Sequence, residues 1–255
     1  MPLFSTVWTF SVAGTTKTPA VSNVNVYTRR RLCWIAPVLI LAVVVFGVAI
    51  YAFVIQASAK SILRDVYKLQ VGSSSVADLE QLAARHPRTL REHKCNSQDC
   101  TMAFEVYNTW LYRLKLEPIA RFRVAVEAKE GMVNYISVML SRATRVFPTM
   151  DSAGITEEYQ RLPEHLAMFS SPPYWFPTPV GKPYLSVALS SQASESQRQH
   201  AYAYSLTCLI KPGGGCDLPC DYLPLAWRDW QADLEKQGFG VGGFGPYYPN
   251  RSRCE

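Results

Sequence analysis

The first 31 residues contain no aspartate or glutamate, and the next 24, Leu32 to Ile55 (LCWIAPVLILAVVVFGVAIYAFVI), contain no charge of either sign. No second uncharged apolar run of that length follows. A bundle of spanning helices is therefore excluded, and a single apolar helix is left to account for. Catalytic signatures are missing too. The chain has no G-x-S-x-G, no H-E-x-x-H and no Walker-type phosphate loop. Gly240-Val-Gly242-Gly243-Phe-Gly245 fits the string G-x-G-x-x-G, but a helical pattern precedes it and Pro246-Tyr-Tyr-Pro follows. The strand, turn and helix N-terminus that hold a pyrophosphate are not there, so no cofactor is expected.

What is present gives the apolar run a direction. Arg29, Arg30 and Arg31 abut it, and at about 1.5 Å per residue it extends roughly 36 Å as a helix, enough to cross a hydrocarbon core of about 30 Å. Lys17 and the three arginines precede it without an acidic residue, whereas Lys60, Arg64 and Lys68 after it are offset by Asp65. The positive-inside rule then puts the N-terminus in the cytoplasm, with Arg29, Arg30 and Arg31 setting topology. Ala57-Ser58-Ala59 has the form of a signal-peptidase site, but the run exceeds the usual 7 to 15 residues of a signal h-region. An uncleaved signal-anchor is expected rather than cleavage after Ala59. Cys33 precedes the apolar run's centre with arginines before it, so it reads as a small apolar residue and not as a lipid-attachment site. The leader Met1 to Thr28 reads as a loosely ordered tail, and translation starting nearer the arginines is an open alternative.

The net charge of +6 looks basic only until it is partitioned. Four of the 26 Lys and Arg precede the apolar run, leaving 22 against 20 acidic residues beyond it, a net of +2. Nucleic acid is thus not an expected partner. The lipid bilayer is, through residues 32–56, together with an envelope protein.

Six of seven cysteines lie beyond the run: Cys95, Cys100, Cys208, Cys216, Cys220 and Cys254. An even number in an oxidising compartment points to disulfides. Cys95 and Cys100 flank the polar turn Asn-Ser-Gln-Asp between two strand-like segments and are the first pair expected; the other four should pair among themselves. Closing so short a loop contributes about 2 kcal/mol, so the bridge fixes hairpin register more than it holds the domain. Zinc at His93, Cys95, Asp99 and Cys100 is the competing reading, against which the spacing lacks a metal knuckle. No metal site and no catalytic residue is nominated.

Further along, Ile62, Leu63, Val66 and Leu69 continue the helix past the run. Ser75 with Asp78 matches a capping box, opening a short helix with Val76, Leu79, Leu82 and Ala83 on one stripe that ends at His86-Pro87. The period then becomes two. Met102 to Val106, Phe122 to Val126 and Met132 to Leu140 read as strands, the last after the turn Lys129-Glu130-Gly131, with a weaker strand over Thr89 to Cys95 and a short helix near Trp110 and Leu111. Between Val146 and Pro183 lie 7 of 17 prolines, Pro148, Pro163, Pro172, Pro173, Pro177, Pro179 and Pro183, so no regular central strand is expected there. Phe169, Tyr174, Trp175 and Phe176 make that segment irregular packing rather than a solvated linker. A hairpin is expected from Tyr184 to Ser190 and Ala201 to Ile210. A helix from Pro224 to Gly238 carries a buried stripe of Leu223, Trp227, Trp230 and Leu234, and Cys254 ties down the Gly- and Tyr-rich end. His86, His165 and His200 find no nucleophile partner in the sequence. Glu157, Glu158, Asp229, Asp233 and Glu235 read as solvated faces, and Asn250-Arg-Ser252 is a glycosylation sequon in a eukaryotic host.

The expected fold is α+β: a cytoplasmic tail (1–31), a transmembrane helix (32–56), a juxtamembrane helix with a helix-plus-antiparallel-sheet subdomain (57–145), an irregular Pro- and aromatic-rich connection (146–183) and a Cys-rich hairpin-and-helix subdomain (184–255). The pattern Leu69-Gln-Val-Gly-Ser-Ser-Ser-Val-Ala-Asp-Leu, the paired cysteines and Asn108-Thr-Trp-Leu resemble an uncharacterised group of bacterial envelope proteins with one N-terminal anchor, over about residues 29 to 145. That resemblance implies inner-membrane placement and carries no activity. The glycine-then-helix opening is also faintly similar to small outer-membrane assembly lipoproteins, whose lipid-bearing cysteine and second helix are missing here. A non-catalytic, membrane-anchored extracytoplasmic binding or scaffolding protein is the leading expectation. An envelope enzyme or thiol-disulfide exchange protein using Cys216 and Cys220 is the rival.

Overall fold

The computed structural model describes residues 26–116, 119–143, 150–159, 166–170, 184–211, 216 and 219–236. Helix α1 (Val26–Tyr67) takes up the apolar run and continues beyond it, so Arg29, Arg30 and Arg31 fall in its first turns. Among the described residues it holds the one helix long and apolar enough to cross a membrane, within Ala36–Tyr67. Its character changes along its length. Side chains from Val38 to Phe46 are largely exposed, whereas Ile55, Ala59, Ile62 and Val66, spaced by four, three and four, are buried, with Leu69 just past the helix end. That spacing is one stripe of a helix facing a core.

Helix α2 (Val76–Arg85) opens on the expected capping box: the Ser75 hydroxyl accepts from the Asp78 amide, and the Asp78 carboxylate accepts from the Ser75 amide. Leu79, Leu82 and Ala83 are its buried face. Strands β1 (Leu90–Cys95), β2 (Cys100–Tyr107), β3 (Ala120–Lys129), β4 (Met132–Ala143) and β5 (Met150–Glu158) form an antiparallel meander, with helix α3 (Thr109–Arg113) between β2 and β3. Strand β7 (Tyr184–Ser190) then pairs parallel to β5, and β6 (Leu166–Ser170) pairs antiparallel outside it. The order is β1-β2-β3-β4-β5-β7-β6. The β3–β4 turn needs positive φ at both central positions, met by Glu130 (54°) and Gly131 (83°), the pattern that matches a hairpin's twist.

Alternation sets the two faces. Met102, Phe104 and Val106 register against Val126, Val124 and Phe122, and these against Ile136, Val138 and Leu140, all buried. The row continues through Ala153, Ile155 and Glu157 into Leu185, Val187 and Leu189. The core is this face together with α1, α2 and the C-terminal helices.

Two expectations are corrected. The Pro-rich window does contain a central strand: β5 has β4 on one side and β7 on the other. Prolines flank it at Pro148 and Pro163, but none lies within it, so every ladder amide is available. The hairpin expected from Tyr184 to Ile210 is not formed either. After β7 the chain enters helix α4 (Glu195–Ala201), a 3₁₀ turn (Leu206–Leu209), a single helical turn α5 (Pro219–Tyr222) and helix α6 (Pro224–Lys236). Ser194 with Gln197 forms a capping box that starts α4, and this local hydrogen bonding prevails over the apparent alternation of Ala201 to Ile210. On α6, Trp227 and Trp230 are buried as expected, with ring centroids 5.0 Å apart. The Leu234 side chain, Phe169, Tyr174, Trp175, Phe176, His165, Cys254, the 240–245 glycine string and Asn250 lie outside the described residues or side chains. The chain divides into two units, Met1–Phe46 and Gly47–Glu255, the second holding the sheet.

Candidate binding surface and charged clusters

The solvent-facing side of β1, β2 and β3 carries the charge that the core face lacks. Thr101, Ala103 and Glu105 register with Glu127, Ala125 and Arg123. Strand β1 is an edge strand, short and bulged between Leu90 and Glu92, and its Arg-Glu-His-Lys run discourages further strand addition. Arg91, Glu92, His93, Lys94, Ala103, Glu105 and Arg123 line an open concavity of about 460 Å³. Glu105 is its organiser. It accepts hydrogen bonds from Arg121 and from the Tyr107 hydroxyl, and Arg123 Nε stands 3.7 Å away. Burial would raise the Glu105 pKa, but the bonds from Tyr107 and Arg121 and the two guanidinium charges outweigh it and hold the carboxyl below its ordinary value. Lys94 donates to Glu92 at 2.6 Å, and His93 contacts Glu80 of α2 at 3.1 Å. The lining offers guanidinium and ammonium donors to a polar or anionic group, and it includes no Ser, Thr or Cys to act as nucleophile.

Cys95 and Cys100 are bonded to each other across the β1–β2 hairpin, as expected. Their sulfurs lie with a Glu80 carboxylate oxygen in a group compact enough for a metal, within 4.8 Å of one another. Sulfurs committed to a disulfide offer no thiolate, so the geometry serves the bridge and not zinc. Cys208 is bonded to Cys216. Cys220 is disulfide-bonded separately. The rival redox pair is therefore divided between two bridges, with no Cys216–Cys220 dithiol to cycle.

Two further clusters were not legible from the sequence. Glu157, expected on a solvated face, is buried on the core side of β5 and receives Arg198 of α4, with Nε at 3.0 Å from Oε1. Side-chain exposures of 11% and 4% make this a buried ion pair. Arg198 Nη2 also donates to the carbonyls of Tyr67 (3.2 Å) and Leu69 (3.0 Å), acceptors left over where α1 ends. The guanidinium carbon stands 5.0 Å from the Tyr67 ring centroid and 5.6 Å from that of Tyr202. Burial works against the charge of Arg198, but Glu157 outweighs it and holds the guanidinium pKa above its ordinary value. Burial, and then the Glu157 charge, push the Tyr202 hydroxyl well above its usual range. The second cluster centres on buried Asp65, which meets Lys68 at 3.0 Å, His86 at 3.0 Å and Arg85 at 3.7 Å, tying α1 to the end of α2. His200 likewise meets Asp229 of α6 at 2.8 Å. Each described histidine thus has a carboxylate, and none has a serine or cysteine in a catalytic arrangement with it.

Searches against protein-family models, curated proteins and solved structures find no match to this chain.

Proposed function

We propose that this chain is a single-pass protein of a bacterial inner membrane, a member of the envelope group its sequence resembles, that presents a non-catalytic binding or scaffolding domain on the extracytoplasmic side. One observation carries the reading: the apolar helix α1 ends as a core helix of a domain closed by disulfides. Thiols of a cytoplasmic domain stay reduced, so the bridges favour export of everything after the run, in agreement with Arg29, Arg30 and Arg31 before it. Ala59 supports retention of the anchor. It is fully buried in the core and helical on both sides, where cleavage would cut a packed element. Binding, on this reading, uses the mixed-charge concavity of β1 to β3, with Arg91, Lys94 and Arg123 as donors to an envelope protein partner.

The test is topological. Alkaline phosphatase fused after Glu255, active only outside the cytoplasm, should be active in a bacterial host, and the chain should resist alkaline extraction from membranes. An inactive fusion overturns the orientation, and release by alkali overturns the anchor.

A further inference from the structure

Helix α3 and the turn after it form an unusual outward surface. Leu111 is buried and Asn108 is fully buried, its Oδ1 accepting from the Ala120 amide at 2.7 Å, so the base of the segment is fixed. Everything else points out. Trp110, Tyr112, Arg113, Leu114, Lys115 and Leu116 are all exposed, Trp110 by 57%. Lys115 takes a left-handed φ of 57°, and the Leu116 amide donates back to the Leu111 carbonyl at 3.0 Å, which closes the turn and leaves both leucines projecting. Four large apolar side chains displayed on a stiffly held segment would be costly in water.

Its position says what covers it. The Trp110 backbone amide donates to the Tyr51 hydroxyl at 3.3 Å, and Tyr51 belongs to the apolar run of α1. Phe53 and Val54 beside it are exposed, so the apolar surface passes from α1 to α3 without leaving the domain unit. Counting from Leu32, the roughly 20 residues needed to span a hydrocarbon core end near Tyr51, and Ile55 is already packed into protein. Trp110 is therefore level with the edge of the hydrocarbon, where tryptophan and tyrosine rings are favoured. Arg113, whose guanidinium stands 5.5 Å from the Trp110 ring centroid, brings a positive charge to this exposed face.

We infer that residues 110–116 are a second membrane contact, lying in the headgroup and upper acyl region of the leaflet that α1 exits, with the anionic lipid headgroup as the partner of Arg113. This rests on the reading of α1 as a retained membrane anchor. The surface seats the domain against the bilayer rather than letting it hang from α1 alone.

The full chain, reconstituted into phosphatidylcholine vesicles with and without phosphatidylglycerol, tests it. Emission of the wild type minus that of Trp110→Phe isolates Trp110, and flotation of the vesicles reports the anchor separately. Lipid brominated high on the acyl chain should quench most of the Trp110 emission, and lipid brominated near the bilayer centre should quench it little. The shallow quenching should weaken in Arg113→Glu when phosphatidylglycerol is present. A chain that floats with the vesicles while Trp110 escapes quenching overturns the second contact, leaves the anchor standing and marks the patch as a protein-binding surface. A chain that fails to float overturns both. Trp110→Phe keeps an aromatic ring at an exposed site, and its far-ultraviolet circular dichroism should match the wild type.

Discussion

Arg198→Ala is the sharpest single perturbation available in this fold. The side chain neutralises Glu157, whose exposure is 4%, and supplies donors to the Tyr67 and Leu69 carbonyls. Truncation therefore strands a buried carboxylate on the core face of a central strand. Breaking a buried pair from one side costs about 3–5 kcal/mol. In a domain of this size about 2–4 °C of melting temperature is lost per kcal/mol, so the expected fall is roughly 6–20 °C. The assay is near-ultraviolet circular dichroism of the full chain in mild detergent with its disulfides intact. Glu157→Met/Arg198→Met removes both charges at similar volume, and should melt above Arg198→Ala because no unpaired carboxylate remains. It should still fall short of the wild type, since each carbonyl that loses its donor costs about 1 kcal/mol. If Arg198→Ala melts within about 2 °C of the wild type, or if the double variant is the less stable, the reasoning about the stranded charge is refuted.

Three other outcomes are expected. Gly131→Ala should cost about 1 kcal/mol for its positive φ in open space, whereas Gly72→Ala should cost about 2–3 kcal/mol because the added carbon also meets the Tyr159 ring; thermal melts of the two variants check the order. Because folded Glu105 has a lowered pKa, its contribution is fully present above the ordinary glutamate value and is lost as pH falls through the folded one. The melting-temperature gap between wild type and Glu105→Gln should then be widest near neutrality and close on acidification, and a gap that widens in acid would contradict the assignment. Non-reducing proteolysis with mass mapping should recover Cys95–Cys100 and Cys208–Cys216 as separate bridges, and a Cys216–Cys220 peptide would favour the redox reading instead.

How much of this could be read from the sequence depended on range. The capping box at Ser75, the alternation of β2, β3 and β4 and the Cys95–Cys100 bridge are set by neighbours a few residues apart, and all are found. Strand β5 is obscured in the sequence because it sits in a proline-free stretch between Pro148 and Pro163 inside a Pro-rich window, and because Glu157 interrupts its apolar alternation. That interruption makes sense only with Arg198, 41 residues on. The parallel pairing of β5 with β7 has no local signature at all. Helix α4 did have one: Ser194 and Gln197 stand at capping-box spacing and mark a helix where a hairpin was expected. The charged concavity has no sequence signature either, since Arg91, Lys94 and Arg123 come together only through strand register.

The pairing of Glu157 with Arg198 also orders events as the chain is made. All seven strands among the described residues are complete by Ser190, so the sheet can be assembled, N-terminal hairpins first, before Arg198 has emerged. Until then β5 turns an unneutralised carboxylate toward the core, and the β5–β7 junction is the seam least able to close. Helix α4 thus works as a latch thrown late, and its Arg198 also seals the end of α1 through the Tyr67 and Leu69 carbonyls. A chain ended after Ser190 should show fast amide exchange in β5 and β7 while β2 and β3 remain protected; equal protection across the sheet would remove the latch from the folding order.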